Sequence, residues 1–191
     1  EAANASGPAT APLVLRVARP HLWSPDDPYL YDLVLRVVRD GEVVDEVRGY
    51  VGMRRIAVGP DSAGVTRLLL NGRFVFQHGP LDQGYWPDGL YTAPSESAMV
   101  SDLRVLKGMG FNMLRKHVKV EPRTFYTWCD RIGLLVWQDM PSASIPLERP
   151  DADRSTDTAA TQEFERELLR MIAAHRNNPS IVMWVPFNEG W

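Results

Sequence analysis

The chain has 191 residues, of which 45% are hydrophobic and 24% charged, a composition typical of one or two folded domains. Its formal net charge of -3 argues against a nucleic-acid partner, since nucleic-acid-binding surfaces are usually basic. An uninterrupted apolar run long enough to cross a membrane is absent, and a single cysteine, Cys129, excludes an internal disulfide. We therefore expect a globular protein without nucleic-acid or membrane partners.

The first sixty residues predict β-strands at 13–17, 30–38, 42–48 and 50–58. Asp40-Gly41, between the second and third of these, is a strong local signal for a β-hairpin. A complete immunoglobulin-like sandwich needs about seven strands. Residues 1–60 are therefore predicted to be a partial antiparallel immunoglobulin-like β-sandwich domain.

A turn-rich segment at 59–64 marks a predicted joint, after which Asn71-Gly72 predicts a second hairpin between strands 67–70 and 74–77. Helices are then predicted at 95–107, 122–132 and 161–176, alternating with strands that include 111–114, 134–137 and 181–185. This alternation is typical of a parallel sheet.

A whole (β/α)8 barrel takes about 250 residues. We therefore predict that residues 61–191 form the first half of a TIM barrel, as far as its fourth strand. The long loop at 141–160 follows the third strand, where barrel loops build the active face, so we expect it to be functional.

Short runs spread over residues 20–191 carry a resemblance to a known family. They are Leu22-Trp23-Ser24-Pro25, Gly52-Met53-Arg54, Leu70-Asn71-Gly72-Arg73, Gly110-Phe111-Asn112, Val136-Trp137-Gln138-Asp139, Asn178-Pro179-Ser180-Ile181 and Asn188-Glu189. Their order and spacing resemble the family 2 glycoside hydrolases, which include β-galactosidases, β-mannosidases and β-glucuronidases. The resemblance implies hydrolysis of β-linked glycosides, and we expect the chain to begin and end inside a longer protein.

Two departures bear on which sugar is bound. Family β-galactosidases often carry Arg-x-x-His after the second strand, whereas here His117 follows Arg115 one place earlier. The run Trp137-Gln138-Asp139 is closer to β-mannosidase-like members. The identity of the sugar therefore does not follow from the resemblance.

Retaining cleavage of a glycoside needs two carboxyl groups, one acting as acid and base and one as nucleophile. The resemblance implies that Glu189 is the general acid/base and that Asn188 contacts the sugar 2-hydroxyl. It places the nucleophile, another Glu, after a seventh strand and outside these residues. We therefore expect residues 1–191 alone to be inactive.

Further residues are predicted to surround Glu189. Asp82 and Trp86 follow the first strand and are candidates for sugar contact, with loop packing as the alternative. His117 is a candidate subsite residue, with a buried structural histidine as the alternative. Trp191 could reach the same site from its position two residues after Glu189.

Two charged residues have predicted supporting roles. Asp139, at the end of the third strand, is expected to bind a sugar hydroxyl or to position Glu189, with a purely structural hydrogen bond as the alternative. Arg115 is expected to pair with carboxylates at the same barrel end and to support Glu189 without itself contacting the sugar.

The sequence predicts no cofactor and no metal site, because its four histidines are far apart in the chain. The expected partner is a carbohydrate substrate, and the cellular compartment and a homo-oligomer of the full-length protein are left open. A non-catalytic carbohydrate-binding or interaction module derived from a glycosidase is the alternative function.

Overall fold

The computed structural model describes residues 2–141 and 158–188. Its first sheet is a hairpin of β1 (Tyr31–Arg39) and β2 (Glu42–Val51). Asp40 and Gly41 join the strands with φ angles of 52° and 85°, the left-handed conformation that a tight hairpin turn requires. The predicted hairpin is confirmed.

Two predicted strands in this region are wrong. Residues 13–17 form no strand, and Leu13, Val14 and Leu15 are exposed, because no described segment pairs with them. The predicted strand 50–58 is interrupted after Val51, where the chain leaves the β1 ladder and the Met53 carbonyl accepts from the Trp23 amide instead (2.7 Å).

The second sheet is antiparallel, with β3 (Ile56–Pro60), β4 (Thr66–Leu70) and β5 (Arg73–Phe74) in that order. Asn71 and Gly72 form the second predicted hairpin turn, with φ angles of 54° and 79°. The predicted joint at 59–64 contains the turn between β3 and β4. The predicted domain boundary at residue 60 falls at this turn and stays a prediction.

The third sheet is parallel and contains β6 (Leu81–Asp82), β7 (Met113–Lys116), β8 (Leu135–Asp139) and β9 (Ile181–Val185), in chain order. The helices α1 (Glu96–Gly108), α2 (Arg123–Ile132) and α3 (Thr158–His175) connect these strands. Ser95 caps α1 by accepting from the Ala98 amide (3.1 Å), and Gly133 ends α2 in the left-handed conformation. Four neighbouring parallel strands joined by helices are the arrangement of a (β/α)8 barrel at its start.

The two faces of this sheet have different neighbours. Leu114, Val136 and Ile181 pack against α1 and α2 and define the helix-facing side. Met113 and Leu135 point to the opposite, axis-facing side, where they pack against Trp23 and Leu70. The antiparallel region therefore covers the axis-facing side near the N-terminal ends of the strands.

Polar contacts fix this attachment. The Trp23 side chain is fully buried, and its Nε1 donates to the Asp130 carbonyl (2.7 Å). Arg54 donates to the carbonyls of Pro179 (3.0 Å) and Ile181 (2.6 Å) at the start of β9. Since these partners lie more than 100 residues apart in sequence, the contacts join the two regions tightly.

Asp130 is the centre of a buried network at the same end. Its carboxylate accepts from the Tyr50 hydroxyl (2.7 Å), the Asn178 amide (2.7 Å) and the Ser180 backbone N–H (2.9 Å). Burial raises the pKa of Asp130, while these hydrogen bonds act in the opposite direction. Sequence reasoning missed this network because its members come from three distant segments.

Candidate functional site

The C-terminal ends of β7, β8 and β9 bring three of the predicted site residues together. Arg115 donates through Nε to Asp139 Oδ1 (2.9 Å) and through an Nη atom to Asp139 Oδ2 (2.9 Å). The same Nη atom donates to Asn188 Oδ1 (3.0 Å). A two-bond guanidinium–carboxylate pair fixes both groups in orientation, so Arg115 holds Asn188 in a defined place beside Asp139.

The Arg115–Asp139 pair is largely shielded from solvent. The Asp139 side chain is 1% exposed and that of Arg115 is 28% exposed. Asp139 Oδ2 also accepts from the Val118 backbone N–H (3.3 Å). The hydrogen bonds to Asp139 raise the pKa of Arg115, so the guanidinium stays charged.

The orientation of Asn188 follows from the chemistry of its partner. A guanidinium carries only donors, so the Asn188 atom that faces it must be the carbonyl oxygen. Its amide N–H₂ group is thereby directed away from Arg115. This leaves two donors on the residue that directly precedes Glu189.

Glu189 and Trp191, the predicted acid/base and a predicted sugar contact, lie outside the described residues. The chain reaches Asn188 within three residues of the end of β9. Much of the predicted functional loop at 141–160 also lies outside the described residues. The roles predicted for these residues stay predictions.

His117 lies one residue after β7, next to Gln83, which follows β6. The Gln83 amide nitrogen and His117 Nδ1 are 3.4 Å apart. His117 is half-buried and Gln83 is exposed, so both are accessible from solvent. Gln83 and His117 lie at the C-terminal ends of the strands, as Arg115 does.

Asp82 and Trp86 are placed elsewhere, which corrects the prediction that they line the same mouth as Asn188. In the parallel register Asp82 lies opposite Lys116, the residue that follows Arg115. Because side chains alternate along a strand, Asp82 and Lys116 point to the helix-facing side and Arg115 points to the other side. Asp82 accepts from Lys116 Nζ (2.9 Å), and Trp86 packs against the cluster that contains Leu114. Sugar contact by either residue stays a prediction.

A buried ionic cluster that the sequence did not reveal occupies this side. Lys116 and Lys119 both contact Glu121 Oε1, at 2.5 Å and 2.8 Å, and all three side chains are at most 6% exposed. Lys116 is the last residue of β7 and directly follows Arg115, so the spacing alone offered no signal that its side chain is buried and paired. A cavity of about 480 Å³ opens beside Asp82, Lys116 and Glu121, and neither Arg115, Asp139 nor Asn188 lines it.

Three further side chains pack in the two core clusters. Trp137 packs against the cluster around Trp23 and donates to Gln77 Oε1 (2.5 Å), while Trp184 packs on the helix-facing cluster. Cys129 is completely buried, and burial raises its pKa well above the ordinary thiol value. Within the described ranges, His, Cys, Asp and Glu residues form no group of three or more able to hold a metal ion. None of the described helices is long and apolar enough to cross a membrane.

The fold and this site define a class: a (β/α)8-barrel protein with a polar centre at the C-terminal strand ends, the usual location of barrel active sites. Residues 1–54 match the family description "Glycosyl hydrolases family 2", and residues 66–191 match "Glycosyl hydrolases family 2, TIM barrel domain". The chain belongs to glycosyl hydrolase family 2. The start of the TIM barrel predicted from the sequence is thereby confirmed.

Curated relatives include two bacterial β-galactosidases. That of Psychromonas ingrahamii is 31% identical over 176 residues, covering 92% of this chain and 16% of the relative. That of Lactococcus lactis is 30% identical over 176 residues, covering 91% of this chain and 17% of the relative. The chain thus spans about a sixth of the length of these relatives.

Solved structures with the same fold include a β-galacturonidase and a β-D-glucuronidase. A GH2 β-galacturonidase from Eisenbergiella tayi, bound to galacturonate, has a TM-score of 0.75 and 28% identity, covering 91% of this chain and 29% of the other. A β-D-glucuronidase from Dictyoglomus thermophilum has a TM-score of 0.80 and 22% identity, covering 92% and 30%. At 22% identity the second likeness shows the fold alone.

Proposed function

We propose that the protein containing this chain hydrolyses O-glycosidic bonds in β-linked sugars with retention of configuration, and that Glu189 is its general acid/base. The carbohydrate substrate is the only partner that this proposal requires. The observation that supports it best is the clamp of Arg115 on Asp139 and Asn188. The clamp fixes the residue directly before Glu189 at the C-terminal end of the barrel strands.

The chemistry assigns each group a task. Glu189 protonates the leaving oxygen and later removes a proton from the attacking water, while a second carboxylate outside this chain forms the glycosyl–enzyme intermediate. Asn188 offers its amide N–H₂ donors to a sugar hydroxyl because its oxygen is already bound to Arg115. Asp139 acts as a positioning residue, since both of its carboxylate oxygens are already hydrogen-bonded.

The test uses the full-length protein and aryl β-glycosides whose leaving groups differ in acidity. Glu189→Gln should lower kcat/KM for poor leaving groups by about 10²–10⁴-fold, the usual contribution of general acid catalysis. Leaving groups that need no protonation should be far less affected in the glycosylation step.

Nuclear magnetic resonance of the first-formed product should show the β-anomer, because two inversions give net retention. An equal loss of kcat/KM for every leaving group would contradict the role of Glu189 as general acid. An α-anomer as the first product would remove the retaining mechanism. A full-length protein that binds β-glycosides without cleaving them would instead support the non-catalytic alternative.

A further inference from the structure

Two consecutive residues of β8, Gln138 and Asp139, both bind the segment 117–121 that follows β7, here called the β7 loop. Because side chains alternate along a strand, the Asp139 carboxylate points to the axis-facing side and the Gln138 amide to the helix-facing side. Asp139 Oδ2 accepts from the Val118 N–H (3.3 Å), and Gln138 Nε2 donates to the Lys119 carbonyl (2.7 Å). The end of β8 therefore holds neighbouring residues of the β7 loop from both faces of the sheet.

The Gln138 side chain is completely buried and uses both of its polar atoms. Its Oε1 accepts from the Tyr126 hydroxyl (2.6 Å), and its Nε2 donates to the carbonyls of Lys119 (2.7 Å) and Asp139 (2.7 Å). A carbonyl oxygen only accepts, so the Gln138 atom that faces two carbonyls must be the nitrogen. This position thus needs one acceptor and one donor, which a glutamine supplies and a carboxylate or a hydrocarbon side chain does not.

Tyr126, on α2, extends the contact of Gln138 to the far end of the β7 loop. Its hydroxyl oxygen accepts from the Glu121 N–H (3.1 Å), while its own proton is donated to Gln138. Burial raises the pKa of Tyr126, so the hydroxyl keeps that proton. Gln138 and Tyr126 therefore fix the β7 loop at Lys119 and at Glu121 as one hydrogen-bonded unit.

Val118 has a backbone conformation that depends on such support. Its φ of 50° is in the left-handed region, which β-branched residues rarely adopt. Its carbonyl accepts from the Tyr91 hydroxyl (3.3 Å), and its N–H donates to Asp139. A strained conformation of this kind persists only where surrounding contacts hold it. Because Lys119 directly follows Val118, loss of the Gln138 contact should let the Val118 backbone relax away from Asp139.

The contact between Val118 and Asp139 is part of the surroundings of the clamp. Asp139 Oδ2 accepts from the Val118 N–H and from an Nη atom of Arg115, and the same Nη atom donates to Asn188. The Asp139 side chain is buried, so its hydrogen-bond partners decide where its carboxylate points. The β7 loop therefore influences the place of Asn188, the residue before Glu189.

We propose that Gln138, together with Tyr126, is a positioning residue for the hydrolytic reaction. By fixing the β7 loop, it keeps the Val118 N–H on Asp139 and thereby keeps the clamp in its place. Gln138 does not touch the substrate in this proposal, because its side chain is buried on the helix-facing side while the clamp lies on the axis-facing side. The inference rests on the proposed function, since it takes the clamp as the support of Glu189.

The experiment compares Gln138→Met and Tyr126→Phe with wild type in the full-length protein. Methionine keeps the length of Gln138 but lacks its N–H donors, and phenylalanine removes only the hydroxyl of Tyr126. On an aryl β-glycoside with a poor leaving group, each variant should lower kcat by about tenfold, the value of about one net hydrogen bond. KM should stay within about twofold of wild type, because the change affects a group that acts in the transition state.

Coupling to the clamp separates positioning from a merely structural role. In an Asp139→Asn background, where the clamp is already weakened, Gln138→Met should lower kcat by less than about twofold, since both changes act on one contact. Tyr126→Phe is carried through the same cycle, so that a measurement exists even if Gln138→Met folds poorly. Thermal unfolding midpoints give a temperature at which the compared variants are folded. The same tenfold loss in both backgrounds would overturn the proposal, as would full activity of both single variants.

Hydrogen–deuterium exchange of the β7 loop tests the proposal without a substrate. The amides of Val118 and Glu121 should exchange about tenfold faster in Gln138→Met, because the contacts that hold the loop are released. Unchanged exchange would overturn the proposal whatever the activity. The proposed function fails in a different way, through a Glu189→Gln variant that keeps full activity while the exchange of the loop in Gln138→Met still increases.

Discussion

The N-terminal and C-terminal ends of the parallel sheet each hold a buried aspartate, and the two carboxylates have different partners. Within residues 2–141 and 158–188, the Asp130 carboxylate accepts from uncharged donors only: a tyrosine hydroxyl, an amide and a backbone N–H. Asp139 faces a guanidinium through two parallel bonds. Both side chains are essentially inaccessible to solvent, so the difference lies in their partners and not in their burial.

The different partners of Asp130 and Asp139 indicate different roles for the two ends of the sheet. Around Asp130, hydrogen bonds run from the antiparallel region through α2 to the start of β9, which joins separate parts of the fold. Around Asp139, a fixed positive charge orders residues that point to the open end of the barrel. In barrel proteins the first end serves stability and the second carries catalysis.

The largest expected effect on stability is at the N-terminal end. Asp130→Ala leaves the Asn178 amide and the Ser180 N–H without their acceptor in a buried space, while the Tyr50 hydroxyl can still donate to Thr127 Oγ1 (3.2 Å). Each unsatisfied buried donor costs about 1–3 kcal/mol. We therefore expect the free energy of unfolding to fall by about 3 kcal/mol or more, measured by urea denaturation of the full-length protein.

Asp130→Asn is the matched control for this prediction. The amide keeps one acceptor oxygen and a similar volume, so it should lose clearly less stability than Asp130→Ala. If the two variants unfold at the same urea concentration, the hydrogen bonds to Asp130 do not contribute as described.

A smaller effect is expected at Gly133, where the segment at Pro25 packs against the end of α2. Gly133 has a φ of 79°, and a Cβ there would lie 2.3 Å from the Pro25 carbonyl oxygen. Gly64 has the same φ of 79° but nothing within 4 Å of an added Cβ. In both variants, the left-handed backbone conformation of the alanine should lower the free energy of unfolding by about 1–2 kcal/mol.

Only Gly133→Ala adds the collision with Pro25, which should cost about 1–3 kcal/mol more. Thermal unfolding midpoints of the two variants provide the measurement. Equal midpoints for Gly133→Ala and Gly64→Ala would show that the antiparallel region is not packed against α2 as closely as the structure has it.

Local signals in the sequence predicted local structure well. Asp40-Gly41 and Asn71-Gly72 predicted hairpins because these residue types adopt the left-handed φ that such turns require, and both turns have it. The predicted helices 95–107 and 122–132 match α1 and α2, since the start of α1 at Ser95 and the end of α2 at Gly133 depend on neighbouring residues only. The parallel order of the barrel strands followed from the alternation of strands and helices.

Contacts between distant segments were not predictable in the same way. The alternation at 13–17 resembles a strand, but a strand needs a partner, and pairing is not encoded in the segment itself. Asp82 was assigned to the wrong side because its direction depends on the register with β7. The proximity of Arg115 and Asp139 could be expected, since neighbouring parallel strands end at the same edge.

The smallest expected effect is a dependence of stability on pH. Burial raises the pKa of Asp130 above the ordinary aspartate value of about 3.9. As pH rises from about 3.9 to the raised pKa, the unfolded chain releases this proton before the folded protein does. The free energy of unfolding therefore falls as pH rises through this window and stays at the lower value above it.

Asp130→Asn removes that ionisation. The stability of wild type relative to Asp130→Asn should thus be greatest near pH 4 and should decrease towards neutral pH. Urea denaturation of both proteins at several pH values measures the difference. A difference that grows with pH would mean that hydrogen bonding, and not burial, controls this carboxyl group.

Measuring kcat/KM for Asp139→Asn and Asp130→Asn side by side in the full-length protein, at a temperature where both are folded, tests most directly whether the two ends of the sheet have different roles. Asp139→Asn weakens the clamp on Asn188, the residue before the proposed acid/base Glu189, and misplacement of a catalytic group costs about 10²-fold in rate. Asp130→Asn should keep kcat/KM within about threefold of wild type, because its effect falls on stability. Full activity in Asp139→Asn, or an equal loss in both variants, would contradict the division between the two ends of the sheet.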